Sequence, residues 1–345
     1  MKKKILVLGY FGYLTNQLDG QTIKTRNVYR LLKSKEKEIG YVDYFDTQTF
    51  QKSKFSLLSM FWKVIQTKKL IYLPAHKNLK FIFPILFLIS KIFGFEIHYI
   101  VVGGWLVEYL QIKPIHRFFL KNISNIFPEN IELCERLHNE YGFINVRQFP
   151  NFRIQNFQAE FNISSDKFRI VFMARVTKLK GIDVLFELSD LIKAKSYYND
   201  IQIDIYGPID KNDNEYFYKN LPKHKKISYK GVIDPKDVYK ILRSYDVMVL
   251  PTRYPGEGFP GSILDAYISG IPVITTKWRQ IPEFVEVGKT GFIIDIYDTI
   301  SILNYIELLN KDRSLLLEMK KNARNKSKEY SSEYAWEIIK PYITN

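Results

Sequence analysis

Short apolar runs rich in valine and isoleucine, each closed by a turn residue and followed by a stretch of helical spacing, recur along this chain and restrict its architecture. A strand that is apolar on both faces needs helices packed on both sides, which is the arrangement of parallel α/β sheets. The second half shows the pattern best: RIVFMAR (169–175), IQIDIYG (201–207), DVMVLP (246–251) and IPVITT (271–276) read as buried strands. Residues 184–194, 235–244 and 262–269 read as the helices between them. The first half opens with ILVLG (5–9) and contains IHYIVVGG (97–104), while its middle is harder to read.

A chain of 345 residues exceeds one core of ordinary size and suits two domains of about 150 residues each. The apolar periodicity breaks at QFPNF (148–152), so the boundary is placed there, with residues 1–150 before it. The single cysteine, Cys134, excludes an internal disulfide or a zinc cluster and reads as a structural thiol in a reducing cytoplasm. MKKKILVLGYFGYL lacks the long apolar run and cleavage site of a secretory leader and reads as a first strand. FIFPILFLIS (81–90) is far shorter than the roughly 20 residues of a membrane span. A cytoplasmic protein without a span is expected.

The net charge of +15 is uneven: residues 1–150 hold 22 basic and 11 acidic side chains. Within 51–100 eight lysines face one acid, Glu96, and alternate with Phe55, Phe61, Trp62, Tyr72, Phe81, Phe83 and Phe87. Basic residues beside aromatics suit peripheral contact with an anionic membrane surface. No helix-turn-helix, zinc-finger or aromatic ribonucleoprotein motif organises the charge, so no nucleic acid is expected. Lysines solvating an ordinary surface are the alternative.

The densest chemical signal starts at Pro251, in PTRYPGEGFPGSILDAYISGIPVITT. A buried strand ends, a loop of three glycines and three prolines follows, and a helix opens near Ser262 and stops at Gly270. Backbone N–H groups at a helix start favour anions, glycines admit a ligand to the main chain, and the carboxyl end of a parallel strand is where open sheets bind ligands. Glu257 can accept hydrogen bonds from sugar hydroxyls, and Asp265 lies one turn into the helix. A solvated loop acid and an ordinary first-turn aspartate are the alternative. In VFMARVTKLKGIDVLFEL, Arg175 ends a strand and Lys180 sits in a short loop closed by Gly181. Two cations at one sheet mouth suit a diphosphate, against the alternative of plain surface charge. No Asp and His occur at metal spacing, and these two cations can take a metal's electrostatic place, so neither metal nor cofactor is expected. Gly288-Lys289-Thr290 is not a P-loop, because Glu283 stands where its first glycine belongs.

On these residues the chain resembles a family 4 glycosyltransferase of the GT-B fold, a retaining family with many capsule and exopolysaccharide enzymes. The likeness is strong after residue 148 and loose before it. It rests on the Glu257/Asp265 pair, on Arg175 and Lys180 in ARVTKLKG, on YKGVI (229–233), on Pro150-Asn151 and on GKTGFII (288–294). The resemblance implies two Rossmann-like α/β domains facing across a cleft: an acceptor side (1–150), a nucleotide-sugar side (151–330), and a segment (331–345) returning to the first domain. It implies that Glu257 holds the donor sugar, Asp265 the ribose, and Arg175 and Lys180 the diphosphate. Backbone amides of the stretch Gly258, Phe259, Pro260, Gly261, Ser262 and Ile263 would complete the cradle, with Gly207 and Val232 also at the donor. The second carboxylate is usually glutamate, so Asp265 implies a looser ribose contact. On the N-terminal side the resemblance puts Gly20 and Gln21 near the donor phosphates or acceptor, with an ordinary turn glycine as the alternative for Gly20. Gly103 and Gly104 stand where many relatives carry a histidine and are expected in the cleft, where they would let acceptor or donor approach the backbone; His98 falls within the strand and is read as a packed histidine.

The implied activity is transfer of a hexose from a nucleoside-diphosphate sugar, a UDP-sugar being expected, to a glycan or lipid-linked acceptor in cell-surface polysaccharide synthesis, with retention. A nucleotide-sugar epimerase of similar fold would use the same diphosphate grip. A non-catalytic, basic, membrane-associated binding module is the alternative from another class.

Overall fold

The computed structural model describes residues 4–344 apart from 18, 54, 160, 162–166 and 196–200. The chain forms two compact units, Met1–Gln155 with Tyr330–Asn345, and Asn156–Glu329.

The first unit holds a parallel sheet in the order β2-β1-β3-β4-β5. Its strands are β1 (Lys4–Gly9), β2 (Tyr41–Asp46), β3 (Lys69–Leu73), β4 (Glu96–Ile100) and β5 (Asn125–Phe127). Helices α1 (Gly20–Ser34) and α2 (Glu36–Ile39) follow β1, and α3 (Ser56–Ile65) follows β2. After β3 come α4 (His76–Phe81) and α5 (Phe83–Phe93); after β4, α6 (Leu106–Ile112) and α7 (Pro114–Lys121); after β5, α8 (Ile131–Tyr141). Successive strand side chains point to opposite faces, and here both faces are covered. Leu6 and Leu8 pack with α3 to α8, whereas Ile5 and Val7 pack with α1 and the C-terminal helix, whose Trp336, Ile339 and Ile343 are buried there. The buried Lys69 donates from Nζ to the Tyr342 carbonyl at 2.9 Å, tying that helix to the sheet. The division falls after Gln155, slightly beyond the Pro150 turn, because Phe149 and Phe152 pack edge to face at 5.7 Å in this first core.

The second unit holds a parallel sheet in the order β11-β10-β9-β6-β7-β8. Its strands are β6 (Phe168–Met173), β7 (Ile201–Tyr206), β8 (Ile227–Tyr229), β9 (Val247–Leu250), β10 (Val273–Thr276) and β11 (Gly291–Ile294). Its helices are α9 (Ile182–Ala194), α10 (Asn214–Asn220), α11 (Val238–Leu242), α12 (Gly261–Ile268), α13 (Thr299–Lys311) and α14 (Arg313–Lys326), and α15 (Ser332–Ile343) closes the chain on the first unit. The helix expected over 235–244 contracts to α11, because Asp234 accepts from the Lys236 N–H at 3.1 Å and holds its start in a turn.

Candidate functional site

From β6 the chain builds outward through β7 and β8, then returns to β9 on the other flank of β6 and continues to β10 and β11. The loops leaving β6 and β9, residues 174–181 and 251–260, therefore rise side by side where the winding reverses. Ligands of open α/β sheets bind at this switch point.

The chain stitches the two loops together. Arg253 donates its backbone N–H to the Leu179 carbonyl at 2.8 Å, and its guanidinium grips Asp183 at the start of α9 through contacts of 3.2 and 2.7 Å. Gly181 lies at φ +90°, and a β-carbon there would collide with the Pro251 carbonyl. Glycine is thus required where the loops touch.

Lys180 Nζ contacts Glu257 Oε2 directly, and Thr252 Oγ1 donates to the same oxygen at 2.8 Å. Glu257 is only 6% exposed. Burying a carboxylate is tolerable when a cation and a hydroxyl satisfy it, so this trio forms a polar centre at the loop junction. The Lys180 ammonium also lies 5.1 Å from the Tyr254 ring centroid, and Trp278 Nε1 donates to the Tyr254 carbonyl at 2.7 Å. Beyond Glu257 the chain enters α12 through Pro260, and no side chain caps that helix start. Such a start favours an anion.

The other expected site residues are distributed around this centre. Asp265 Oδ1 receives the Tyr239 hydroxyl at 3.5 Å, linking α12 to α11. Arg175 is half-exposed and pairs with Asp210 at 3.7 Å. Gly258 and Pro260 are buried, Gly261 and Ser262 are partly accessible, and Ile263 is in the core. The Phe259 ring stacks on Phe284 at 3.9 Å, fixing the loop to the segment before β11, while the expected contribution of Phe259 to the cradle is its backbone amide. Gly207, expected at the donor, has φ +135° and a β-carbon would meet the Ala174 carbonyl. Contact within the chain therefore already demands this glycine. Val232 is exposed beyond β8. Thr290 of the Gly-Lys-Thr triplet is buried, accepting from the Glu286 N–H at 2.9 Å in a turn that leads into β11.

In the first unit Gly20 and Gln21 open α1, where Asp19 caps the Thr22 N–H at 2.9 Å. A β-carbon on Gly20 meets nothing within 4 Å, so packing does not impose glycine there. Gly103 and Gly104 lie in the bend between β4 and α6, followed by Trp105, whose Nε1 donates to the Val102 carbonyl at 2.9 Å. His98 is buried in β4: its Nε2 faces Glu96 at 3.1 Å, and Asn125 Nδ2 donates to its Nδ1 at 3.2 Å. Burial holds its pKa below the ordinary histidine value. Both ring nitrogens are thus engaged in internal structure.

Several contributors escaped the sequence reading. Thr252 and Arg253 lie inside the Pro251 motif, and asking what would satisfy a buried Glu257 points to the hydroxyl five positions earlier. Asp213 bonds both the Thr177 hydroxyl and, at 3.0 Å, the Lys178 N–H, shaping the Lys180 loop. It sits in the polar run KNDNE, which carries no signal for such a role. Among the described residues no group of three or more His, Cys, Asp or Glu side chains could hold a metal ion, and no helix is long and apolar enough to cross a membrane.

Two parallel α/β units with a lysine–glutamate centre at the switch point of the second define the class, and the chain belongs to the glycosyl transferases group 1 family, whose profile matches residues 153–326. Among its relatives is the capsular polysaccharide biosynthesis glycosyltransferase CapM of Staphylococcus aureus, 30% identical over 206 residues, 58% of this chain and 52% of that protein. Another is the N,N'-diacetylbacillosaminyl-diphospho-undecaprenol alpha-1,3-N-acetylgalactosaminyltransferase of Campylobacter jejuni, 27% identical over 229 residues, 64% of this chain and 58% of that one. The chain spans about half the length of such relatives. Anabaena Alr3699/HepE in complex with UDP shares the fold at a TM-score of 0.76 and 14% identity over 99% of both chains. The same protein in complex with UDP-glucose gives 0.74 at 15% identity over the whole of each chain.

Proposed function

We propose that this protein is a retaining, metal-independent hexosyltransferase that uses a nucleoside-diphosphate sugar, with UDP as the carrier, and a glycan or lipid-linked oligosaccharide acceptor. Its setting is bacterial cell-surface polysaccharide synthesis, on the cytoplasmic side of the plasma membrane and peripheral to it. The observation that carries the reading is the Lys180–Glu257–Thr252 centre between the β6 and β9 loops. A carboxylate suited to sugar hydroxyls and an ammonium suited to phosphate meet there, as a sugar diphosphate requires.

Departure of the diphosphate builds negative charge on its oxygen. Lys180 and Arg175, with the N-terminal end of α12, would stabilise that charge, while Glu257 orients the sugar and Asp265 receives the ribose. On this reading the leaving oxygen takes the acceptor's proton on the same face of the sugar, so no separate base is needed and configuration is retained. CapM and the Campylobacter transferase support a polysaccharide setting, the latter by a name that specifies a diphospho-undecaprenol acceptor. The UDP and UDP-glucose complexes of HepE support the choice of carrier.

The test is incubation with a panel of sugar nucleotides and lipid-linked acceptors, read by mass spectrometry. A glycosylated acceptor is expected with one donor. Folded protein that transfers nothing from any donor overturns the proposal, and free epimerised nucleotide sugar assigns the protein to the epimerase class.

A further inference from the structure

The lysine- and aromatic-rich stretch of the first unit divides in two on folding. Tyr72, Phe83 and Phe87 enter the core, whereas Phe55, Trp62 and Phe81 stand 81%, 65% and 62% exposed. Exposed aliphatic side chains join the second group. On α3, Leu58 lies between Phe55 and Trp62 at helical spacing; on α5, Ile85, Leu88 and Ile92 form an outer stripe; along α7, Ile115 and Phe118 do the same. The inner sides of these helices, at Met60, Leu86 and Leu120, already fill the core beside the sheet. Helix α5 is therefore apolar on both sides, although one side faces solvent.

The three helices are neighbours. Phe87 of α5 packs on Phe118 and Phe119 of α7 at 6.2 and 4.9 Å, Lys91 Nζ donates to the Asn122 carbonyl at 3.0 Å, and α3 packs on α5. Their outer residues thus share one face. Scattered exposed apolar side chains are normal on a protein surface, but a contiguous patch marks an interaction site.

We propose that this face of α3, α5 and α7 lies in the headgroup layer of an anionic bilayer, with its apolar stripes inserted and its lysines against the lipid phosphates. The inference rests on the membrane-peripheral reading above and supplies its contact surface. Charge selects the occupant: Lys91 in the last turn of α5 and Lys121 at the end of α7 are exposed, as are Lys77 and Lys80 on α4, which packs against α5. Between Asp46 and Glu108 the only carboxylate is Glu96, which already faces Lys69 and His98. A second copy of this chain would set one basic rim against another, whereas an anionic surface neutralises the rim while the apolar stripes leave water. With 11 residues, α5 is too short to span, so it lies in the plane of the interface.

The test is flotation of the full chain with phosphatidylcholine vesicles, with and without phosphatidylglycerol, at physiological salt. Binding to the anionic vesicles is expected, with a loss of about tenfold in Leu88→Asp/Ile92→Asp and again in Lys80→Glu/Lys91→Glu. Circular dichroism should show all variants folded, and Val287→Asp/Ile300→Asp on the second unit should bind as wild type does. Undiminished binding by the first two variants, equal binding to neutral vesicles, or a wild-type dimer that these variants dissociate would each overturn the assignment. No sugar nucleotide enters the assay, so failure of the transferase reading and failure of this surface are separately visible.

Discussion

Lys180 and Glu257, 77 positions apart in sequence, meet side chain to side chain at the junction of two loops. The Glu257 carboxylate is nearly buried, and an isolated buried charge is strongly disfavoured, so it needs the partly exposed Lys180 and the Thr252 hydroxyl as partners. The pairing puts the two chemistries expected of a sugar-diphosphate grip at a single point.

Glu257→Gln keeps the shape of the side chain and an acceptor for Thr252 while removing the charge opposite Lys180. Transfer should fall by about 100-fold or more, with the circular dichroism spectrum unchanged. Wild-type turnover in this variant would remove Glu257 from the centre of the site.

Gly181→Ala combines a left-handed backbone with a clash at the Pro251 carbonyl, so a loss of about 3 kcal/mol in denaturant unfolding is expected, together with weakened donor binding. Gly20→Ala is the contrast. Its surroundings are open, so stability should change by no more than about 0.5–1 kcal/mol, and any gain is expected from reduced freedom of the unfolded chain. A fall in transfer without a fall in stability would mark Gly20 as a place where substrate nears the backbone.

Arg253 acts through the loops it holds. Replacing it by alanine removes the two-pronged grip on Asp183, and the donor KM should rise roughly tenfold with a smaller change in kcat. Arg253→Lys should recover only part of the loss, because an ammonium cannot reproduce the planar fork. Initial rates at varied donor concentration decide it, and an unchanged KM in the alanine variant would refute the role.

His98 gives the fold a pH dependence. Its folded pKa lies below the ordinary 6.5 because burial disfavours the charged ring. Between the folded value and 6.5 the unfolded chain therefore binds more protons, and stability rises with pH. That contribution is fully present above 6.5 and is lost as pH falls below it. Thermal melts across this range should show the decline in wild type and less of it in His98→Gln; parallel curves would exclude His98 as the source.

The strands β1, β4, β6, β7, β9 and β10 were legible because burial on both faces forces continuous apolar runs, and the helix at Gly261 because glycine and proline punctuate its ends. β2, β3, β5, β8 and β11 were not, β3 because its short apolar run lies inside the lysine- and aromatic-rich stretch. Two are three-residue strands, β2 is an edge strand with exposed and acidic positions, and β11 starts on a glycine packed against Val273. Basic and aromatic composition identified an unusual stretch but could not say which rings face inward. Tyr72 and Trp62 look alike to composition, and only helix and strand packing assigns one to the core and the other to the surface.

The sequence by itself determined the parallel α/β class, the segments 174–181 and 251–265 that bear the charged residues, and their kinship to group 1 glycosyl transferases. Tertiary structure alone decided that β6 and β9 are neighbours, so that these segments meet, that Lys180 faces Glu257 while Arg175 faces Asp210, and that Phe259 and Gly207 answer to packing. The reason is physical. Local pattern follows from burial and backbone preference along the chain, whereas pairing of distant charges depends on strand order, which is fixed by the sum of many nonlocal contacts.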